Sequence, residues 1–205
     1  MVREIRVYIE GGGDEKETRA RLRQGFHAFL NSLIEAARSK RVRFRLVACG
    51  SRNAAFDDFQ TALETHPSAF NVLLVDSEAP VNAEPRQHLQ QRDGWDLSHC
   101  NNNHCHLMVQ TMEAWLIADL DALIRSYGQG FKANTLPNNP NVEQVDKEQL
   151  AAALKVATER TSKGEYHKTR HAPKILEQLD AVKVCRAAPH CNRLFVTLDQ
   201  LMRTD

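Results

Sequence analysis

The sequence lacks the features that mark a membrane or secreted protein. No apolar run approaches the ~20 residues that a membrane-spanning helix requires. The first residues hold no basic segment followed by an apolar stretch, so we expect no signal peptide. The five cysteines are odd in number and scattered, which favours reduced thiols over a disulfide framework. These absences predict a cytoplasmic protein with no membrane partner.

The sequence also lacks an excess of either charge. Its 27 Lys and Arg residues nearly balance 26 Asp and Glu residues, which leaves a formal net charge of +1. Net charge therefore gives no support for nucleic-acid binding, which would have to depend on local clusters. The 205 residues are enough for one domain with a buried core.

The first half of the chain alternates between apolar, β-type segments and helical patterns. Strands are expected at residues 5–10, 43–50, 71–78 and 105–110. Helices are expected at residues 15–40, 56–66 and 111–128, and an irregular segment at 79–103. This order predicts an α/β fold with a mostly parallel sheet and flanking helices.

The second half reads as mostly helical. A Pro/Asn-rich loop at 132–143 precedes expected helices at 146–162, with Asp146 as its N-cap, at 172–180 and at 193–203. We interpret residues 1–128 as the α/β core and residues 129–205 as a C-terminal helical annex that packs on it, within one structural domain.

Two predicted strands end in acidic residues. Glu10 ends the first strand, and Asp76 and Glu78 end the third. Binding sites in open α/β sheets form beyond the carboxyl ends of the strands, and residues two apart on an extended segment point to the same side. We therefore expect these three carboxylates to form a cup for a hard cation, Mg²⁺ or Mn²⁺, which prefers oxygen ligands.

The glycine run after Glu10 has two interpretations. In the first, Gly11 to Gly13 form a plain turn beside a solvated glutamate. In the second, they leave room beside Glu10, and the next helix directs its N-terminal amides at an anion. No Gly-Lys-Ser/Thr follows, so the run is not a P-loop. Two acidic strand ends at one sheet edge favour the second interpretation.

The order of these segments resembles a known family. An apolar strand that ends in Glu-Gly, followed by one that ends in Asp-x-Glu, resembles the Toprim domain of topoisomerases, bacterial primases and overcoming-lysogenization-defect nucleases. More closely, the chain is similar over about residues 5 to 180 to an uncharacterised, Toprim-like family of bacterial domains of unknown function. The segments that carry this similarity are YIEGGGDEKETRARLRQGF, ACGSRNAAFDDF, NVLLVDSEAPV, HLMVQTMEAWLIADLDAL, YGQGF and SKGEYHKTRHAPKILEQLD.

The resemblance implies a Toprim-type sheet with Glu10, Asp76 and Glu78 as metal ligands and catalytic residues. It implies a Mg²⁺-dependent nuclease, of a kind often found beside an ATPase in prokaryotic genome-defence loci. Toprim proteins more usually carry Asp-x-Asp, so Glu78, one methylene longer, leaves the number of ions open. Glu113 belongs to the Met-Glu-Ala-Trp-Leu part of the pattern. It is either a second metal ligand or orienting group, or an acid that the helix dipole favours in a first turn.

The segment SKGEYHKTRHAPK (162–174) is the densest cationic stretch that contains an aromatic residue. We expect it to form a loop in which Lys163, Lys168 and His171 hold the scissile phosphate or stabilise its developing charge. Lys163, Tyr166, Lys168 and Arg170 would then contact nucleic acid, since cations neutralise phosphates and tyrosine stacks on bases. The alternative is a solvated, charged surface. Arg52, after the second strand, either contacts substrate or belongs to a helix-entry turn.

The segment SHCNNNHCHL (98–107) contains five His and Cys residues within eight positions. Zinc sites usually combine two ligand pairs separated by a dozen or more residues, so this spacing does not favour zinc. His106 could instead enter the fourth strand near the carboxylates and act as a proton shuttle.

These features lead to a first hypothesis of a metal-dependent phosphodiesterase that acts on DNA or RNA. The alternative is a Toprim-like binding module that acts only when it is docked on an ATPase. A primase-like nucleotidyl transferase is a weaker third interpretation, because no additional zinc ribbon or template-binding segment is present.

Overall fold

The computed structural model describes residues 2–203 and shows a mixed α/β fold with a four-stranded sheet. The strands are β1 (Glu4–Glu10), β2 (Arg43–Gly50), β3 (Phe70–Asp76) and β4 (Cys105–Met108). Their order across the sheet is β2-β1-β3-β4, and all neighbouring strands are parallel. The predicted α/β class with a mostly parallel sheet is confirmed, and the architecture is consistent with a Toprim-like α/β fold.

Helices flank this sheet. The α-helices within the described residues are α1 (Lys16–Phe29), α2 (Asn31–Ser39), α3 (Arg52–Thr65), α4 (Pro85–Asp93), α5 (Glu113–Ile117), α6 (Leu120–Tyr127), α7 (Lys147–Thr158), α8 (Lys168–Leu176), α9 (Ala181–Ala187) and α10 (Pro189–Arg203). None of these helices has both the length and the apolar character needed to cross a lipid bilayer.

Side chains alternate along β1 between two hydrophobic clusters, one on each face of the sheet. Ile5, Val7 and Ile9 belong to the larger cluster, which also contains residues of α1, α2 and the helices from α5 onward. Tyr8 belongs to the smaller cluster, together with residues of α3 and α4. The parallel sheet is therefore covered on both faces. Helices α8, α9 and α10 pack on the same side as α1.

Helix α8 lies unusually close to α1. A Cβ atom added at Gly25 of α1 would lie 2.6 Å from the carbonyl oxygen of Pro173 and 3.1 Å from its Cα. Only glycine permits this approach, which fixes the position of α8 against the core. The amino-terminal end of α8, at Lys168, is placed by the same contact.

Two predicted helices are interrupted in the structure. The helix expected at 15–40 divides at Leu30, whose φ of −91° and ψ of 12° depart from helical values. The helix expected at 111–128 divides at Asp119, whose carboxylate accepts hydrogen bonds from the Asp180 backbone and from Lys183, at 3.0 and 2.9 Å. Apolar spacing predicts neither break, because it continues on the same side of both helices.

Some predicted boundaries were wrong. The irregular segment at 79–103 contains α4, which has Pro85 in its first turn and ends at Gly94, with a φ of 70°. The cationic segment expected as a loop is helical from Lys168 onward, and Pro173 lies inside that helix. Helix α9 was not predicted. The Asp146 N-cap is confirmed, since its carboxylate accepts the Glu148 and Gln149 N–H groups, both at 3.0 Å.

Candidate metal centre

The strand order creates a crevice at the carboxyl ends of two neighbouring strands. From β1 the chain crosses to β2 on one side, and from β3 it crosses to β4 on the other side. Ligands bind at such reversals in open α/β sheets, because the connecting loops separate there. Glu10 is the last residue of β1 and Asp76 the last residue of β3, so both flank this crevice.

The structure brings together the carboxylates of Glu10, Asp76 and Glu78. One oxygen from each residue lies within 4.8 Å of the others. Asp76 is 1% exposed, and the other two are partly buried. Three converging carboxylate oxygens are the donor set that a hard divalent cation such as Mg²⁺ prefers. The cluster could therefore hold a metal ion.

Glu78 reaches the cluster by a route that differs from the expected one. Strand β3 ends at Asp76, so the alternation of an extended strand does not place Glu78. Instead, Glu78 has a φ of 61°, a left-handed conformation that is uncommon outside glycine. Its N–H donates to the carbonyl oxygen of Gln110 at 2.8 Å, which anchors the turn against the segment after β4.

Backbone groups fix the two innermost carboxylates. Oε2 of Glu10 accepts the Asp76 N–H at 3.0 Å, and Oδ1 of Asp76 accepts the Met112 N–H at 2.7 Å. Each acid therefore keeps one oxygen tied to the fold. Main-chain N–H groups therefore help to orient these two carboxylates.

Each carboxylate also pairs with one basic side chain. Arg52 lies 3.1 Å from Glu10, Lys168 lies 2.7 Å from Asp76, and Lys147 lies 2.6 Å from Glu78. Lys147 begins α7 and Lys168 begins α8. The helical second half of the chain thus supplies two of the three cations around the cluster.

Arg52 is held inside the site and acts as a clamp. Its guanidinium donates to both oxygens of Asp93, at 3.0 and 2.7 Å, and to the carbonyl oxygen of Asp76 as well as to Glu10. It also lies 5.0 Å from the centre of the Trp95 ring. Arg52 is the first residue of α3, as the helix-entry alternative expects, and most of its N–H groups are used within the protein.

The pKa values of the ionisable groups in the cluster shift in different directions. Burial raises the pKa of Asp76 to about 7, although the Lys168 ammonium acts to lower it. Burial also raises the pKa of Glu10, against the opposing effect of Arg52. Burial acts to raise the pKa of Glu78 too, but the hydrogen bond and charge of Lys147 outweigh it, so this pKa is lowered. The pKa of Lys168 is raised because Asp76 and Glu113 outweigh its burial.

Glu113 and Tyr166 support Lys168 from the opposite side. Oε2 of Glu113 lies 3.4 Å from the Lys168 ammonium, and its Oε1 accepts the Tyr166 hydroxyl at 3.0 Å. Burial and the charge of Glu113 raise the pKa of Tyr166, so its hydroxyl stays a donor. A cavity of about 310 Å³ lies beside these residues, with Glu78 and Lys147 on its wall.

The other residues of the cationic segment lie away from the carboxylates. Lys163 donates to the backbone and hydroxyl oxygens of Ser126 and lies 5.7 Å from the Tyr127 ring centre. His171 is buried and hydrogen bonds to the Tyr127 hydroxyl at 3.0 Å, and burial lowers its pKa. Arg170 is exposed on α8. Across residues 2–203, neither Lys163 nor His171 contacts Glu10, Asp76 or Glu78.

The first glycine of the run, Gly11, pairs through its backbone with Gly50 at the end of β2. The Gly11 N–H donates to the Gly50 carbonyl at 2.7 Å, and the Gly50 N–H donates back at 3.1 Å. The run bends sharply, with a φ of 117° at Gly11, which brings the end of β1 beside the end of β2. The Gly11 amide therefore serves the turn and is not directed at an anion.

The His/Cys segment does not join the site. His106 lies in β4, fully buried, with Nε2 hydrogen bonded to the Asn103 carbonyl and Nδ1 to Arg193, both at 3.1 Å. Both ring nitrogens are therefore used outside the carboxylate cluster, and burial lowers the pKa of His106 to about 3, so the structure does not favour a proton shuttle at this residue. Among the described residues, segment 99–106 also forms no group of three converging ligands.

Three residues that complete the site could not be identified from the sequence. Asp93 lies in the segment expected to be irregular, and Lys147 follows an N-cap at the start of a helix in the annex. Thr111, on the cavity wall, follows β4. Charged residues at helix ends and a threonine after a strand are common on any surface, so none of these positions carries a distinguishing pattern.

One comparison with known proteins gives a match. A family model described as "Domain of unknown function (DUF4276)" matches residues 9–199, which is most of the chain. Comparisons with curated proteins and with solved structures give none. The expected membership in a family of unknown function agrees with this match, and the relation to Toprim domains stays a prediction.

Proposed function

The chain belongs to the DUF4276 family of domains of unknown function, and we propose that it is a metal-dependent nuclease that hydrolyses phosphodiester bonds in DNA or RNA. The observation that carries this proposal is the convergence of Glu10, Asp76 and Glu78 within 4.8 Å at the reversal of the strand order. These residues would hold Mg²⁺ or Mn²⁺. A bound divalent ion supplies a Lewis acid for a phosphate oxygen and lowers the pKa of a bound water.

The cavity beside the cluster would accept a phosphate group once a metal ion is bound, because three glutamates and two lysines line it. Lys147 and Lys168 lie on its wall, and each is already beside one carboxylate of the cluster. Two ammonium groups offset the repulsion between a phosphodiester and the acids, and they stabilise charge that develops on the phosphate oxygens. Glu113 and Tyr166 hold Lys168 in position for this role.

The residues of the cationic segment fall into two groups according to their contacts. Lys168 reaches the carboxylates, whereas Lys163 and His171 contact Ser126 and Tyr127. We therefore assign the catalytic role to Lys168. Lys163 and His171 hold the segment against α6.

The proposal is tested by cleavage assays on purified protein. Supercoiled plasmid, single-stranded DNA and single-stranded RNA are incubated with Mg²⁺, with Mn²⁺ and with a chelator. We expect ion-dependent cleavage that Asp76→Ala abolishes while circular dichroism shows an unchanged fold. Lys163→Ala is the matched control and should retain cleavage. Cleavage by Asp76→Ala at the wild-type rate would defeat the assignment.

A second candidate is a Toprim-like binding module that acts only when it is docked on an ATPase partner. The observation that favours it is the pairing of Asp76 with Lys168 and of Glu78 with Lys147. A partner that displaces both α7 and α8 would free two carboxylates for an ion. The isolated protein would then be inactive with every substrate and ion, and co-expression with an ATPase from the same locus would restore cleavage that still depends on Asp76.

A further inference from the structure

The positive charge of the chain is concentrated at its beginning. Residues 1–50 contain eleven Lys and Arg residues against six Asp and Glu residues, although the whole chain has a net charge of only +1. The remainder of the chain is therefore net acidic. Such an asymmetry within one chain is typical of proteins with a local polyanion-binding surface.

The structure gathers part of this charge where β1 and β2 begin, at the end of the sheet opposite the carboxylates. We call the five residues there the arginine edge: Arg3, Arg6, Arg41, Arg43 and Arg45. Strand pairing sets two of them beside each other, because Arg6 is opposite Arg45 in the register and Arg43 is opposite Glu4. Residues paired in this way lie on one face of the sheet.

A single acid lies among these arginines. The buried carboxylate of Glu4 accepts a hydrogen bond from Arg6 Nε at 3.0 Å and forms ion pairs with Arg45 Nε at 2.9 Å and Arg43 Nη2 at 3.1 Å. One carboxylate cannot neutralise three guanidinium groups, so positive charge remains.

The side chains that carry this charge face solvent. The Arg43 and Arg45 side chains are 68% and 56% exposed, so N–H groups that Glu4 does not use point outward. Arg3 and Arg41 are exposed as well, and within residues 2–203 neither forms an ion pair. Four of the five residues of the arginine edge are therefore accessible, whereas the Arg6 side chain is only 15% exposed.

The position of β2 at the edge of the sheet offers a simpler explanation for its exposed arginines. That explanation does not account for their clustering around Glu4. Charged side chains on an edge strand prevent pairing with another sheet. Charges of either sign serve that purpose, and mixed signs would avoid repulsion. Here the cations cluster around Glu4, so the fold retains like charges side by side, which costs stability. A ligand of opposite charge removes that cost.

We propose that the arginine edge is a second nucleic-acid contact, which binds the phosphate backbone at a distance from the metal centre. Guanidinium groups match phosphate oxygens with two parallel hydrogen bonds. Six residue steps along β1 separate Glu4 from Glu10, so the two sites are about 20 Å apart. That distance corresponds to roughly six base pairs of duplex. The identity of the ligand rests on the proposed nuclease function, but the contact itself requires no metal ion.

The test compares the double variant Arg43→Gln/Arg45→Gln with the wild type. The probes are fluorescein-labelled duplexes of about 30 base pairs, one of DNA and one of RNA, and anisotropy is measured with a chelator over a range of KCl concentrations. We expect about tenfold weaker binding near physiological salt and a salt-dependence slope reduced by about 2, because two phosphate contacts are lost. Comparing the affinities of the wild-type protein for the DNA and RNA duplexes shows which nucleic acid it prefers.

The control variant is Arg160→Gln/Arg186→Gln, which removes the same charge from two exposed sites elsewhere. It should bind like the wild type. Equal losses in the two double variants, no loss in either, or no binding of either duplex by the wild type would overturn the inference. Thermal melts verify that both variants fold.

A second measurement separates this inference from the proposed function. Hydrolysis of bis(p-nitrophenyl) phosphate, which is too small to reach both sites, should be unchanged in Arg43→Gln/Arg45→Gln. If the wild type hydrolyses no substrate yet binds duplex through Arg43 and Arg45, the nuclease proposal fails and the arginine edge stands. If the wild type hydrolyses the substrate and the Arg43→Gln/Arg45→Gln variant binds the duplexes as tightly as the wild type, the arginine edge fails and the nuclease proposal stands.

Discussion

The Lys168 ammonium lies 2.7 Å from Oδ2 of Asp76, although 92 residues separate them in the chain. This contact joins the end of the central strand β3 to the first residue of α8. It also places a permanent cation at the position where the carboxylate cluster meets the cavity. In the proposed enzyme, Lys168 would lower the negative charge that a metal ion meets and would supply positive charge beside a bound phosphate.

Lys168→Ala should separate metal binding from catalysis. Removing the ammonium removes the cation that competes with Mg²⁺, so the ion should bind more tightly at a pH high enough to keep Asp76 ionised, since the loss of Lys168 also raises the pKa of Asp76. Cleavage should fall by about 10²- to 10³-fold, because the cation beside the developing phosphate charge is lost. Calorimetric Mg²⁺ titration and single-turnover cleavage measure the two effects.

The matched variant for this prediction is Lys163→Ala. Lys163 has the same charge and lies in the same segment, but it contacts Ser126 and Tyr127. Mg²⁺ affinity and cleavage should both stay near wild type. Loss of cleavage in Lys163→Ala equal to that in Lys168→Ala would contradict the division of roles.

The convergence of the acids was predictable from sequence because it depends on local order. Strand-forming runs that end in Glu10 and Asp76, with helices between them, predict parallel strands whose carboxyl ends share one edge. The prediction required no knowledge of the helices that cover the sheet. The sequence pattern predicted that Glu78 joins the cluster, but it attributed this to an extended strand. In the structure, a left-handed backbone conformation at Glu78 directs its side chain inward.

The cations of the site could not be predicted in the same way. Lys147 and Lys168 reach the acids only because α7 and α8 pack against the core, and that packing depends on contacts such as Gly25 with Pro173. Such contacts join residues far apart in sequence. The dense charge of residues 162–174 therefore predicted the same role for Lys163 and Lys168. Only the packing of α8 shows that Lys168 contacts Asp76 and Lys163 does not.

Mg²⁺ affinity should increase with pH up to about 7. Burial raises the pKa of Asp76 to about 7, so below that pH the carboxyl holds a proton that must leave before it binds metal. The affinity should fall about tenfold per pH unit below pH 7 and level off above it. Glu78 contributes no step in this range, because Lys147 keeps its pKa low despite its burial.

Calorimetry in buffers of different ionisation enthalpy counts the released protons. About one proton should leave per ion bound near pH 6, and almost none near pH 8.5. Constant affinity and no proton release between pH 6 and 8 would show that Asp76 is already ionised there, or that it does not bind the ion.

Arg52→Ala should destabilise the fold as well as the site. The substitution leaves Glu10 and Asp93 without their shared partner in a largely buried position, where breaking an ion pair costs about 3 kcal/mol. Mg²⁺ binding should weaken because Glu10 is no longer oriented. Urea denaturation gives the change in free energy of unfolding.

Arg92→Ala is the control for Arg52, because Arg92 also contacts Asp93 but from a more exposed position. It should cost less than about 1 kcal/mol. A loss of stability in Arg92→Ala as large as that in Arg52→Ala would show that the contact with Asp93, rather than the clamp between two acids, accounts for the effect.

Gly25→Ala should disturb the site from a distance. The added methyl group would lie 2.6 Å from the Pro173 carbonyl oxygen, so α8 must move away from α1 at a cost of about 1–3 kcal/mol. Lys168 moves with α8, so cleavage should decline more than the loss of folded protein explains. Gln24→Ala, on the exposed side of the same helix, should change stability by less than about 0.5 kcal/mol.

The metal centre itself is tested most directly by anomalous diffraction from crystals soaked in Mn²⁺. We expect a peak about 2.1 Å from one oxygen each of Glu10, Asp76 and Glu78, and no peak at this position in Asp76→Asn crystals. A wild-type crystal whose Mn²⁺ peaks all lie away from these three residues would contradict the account.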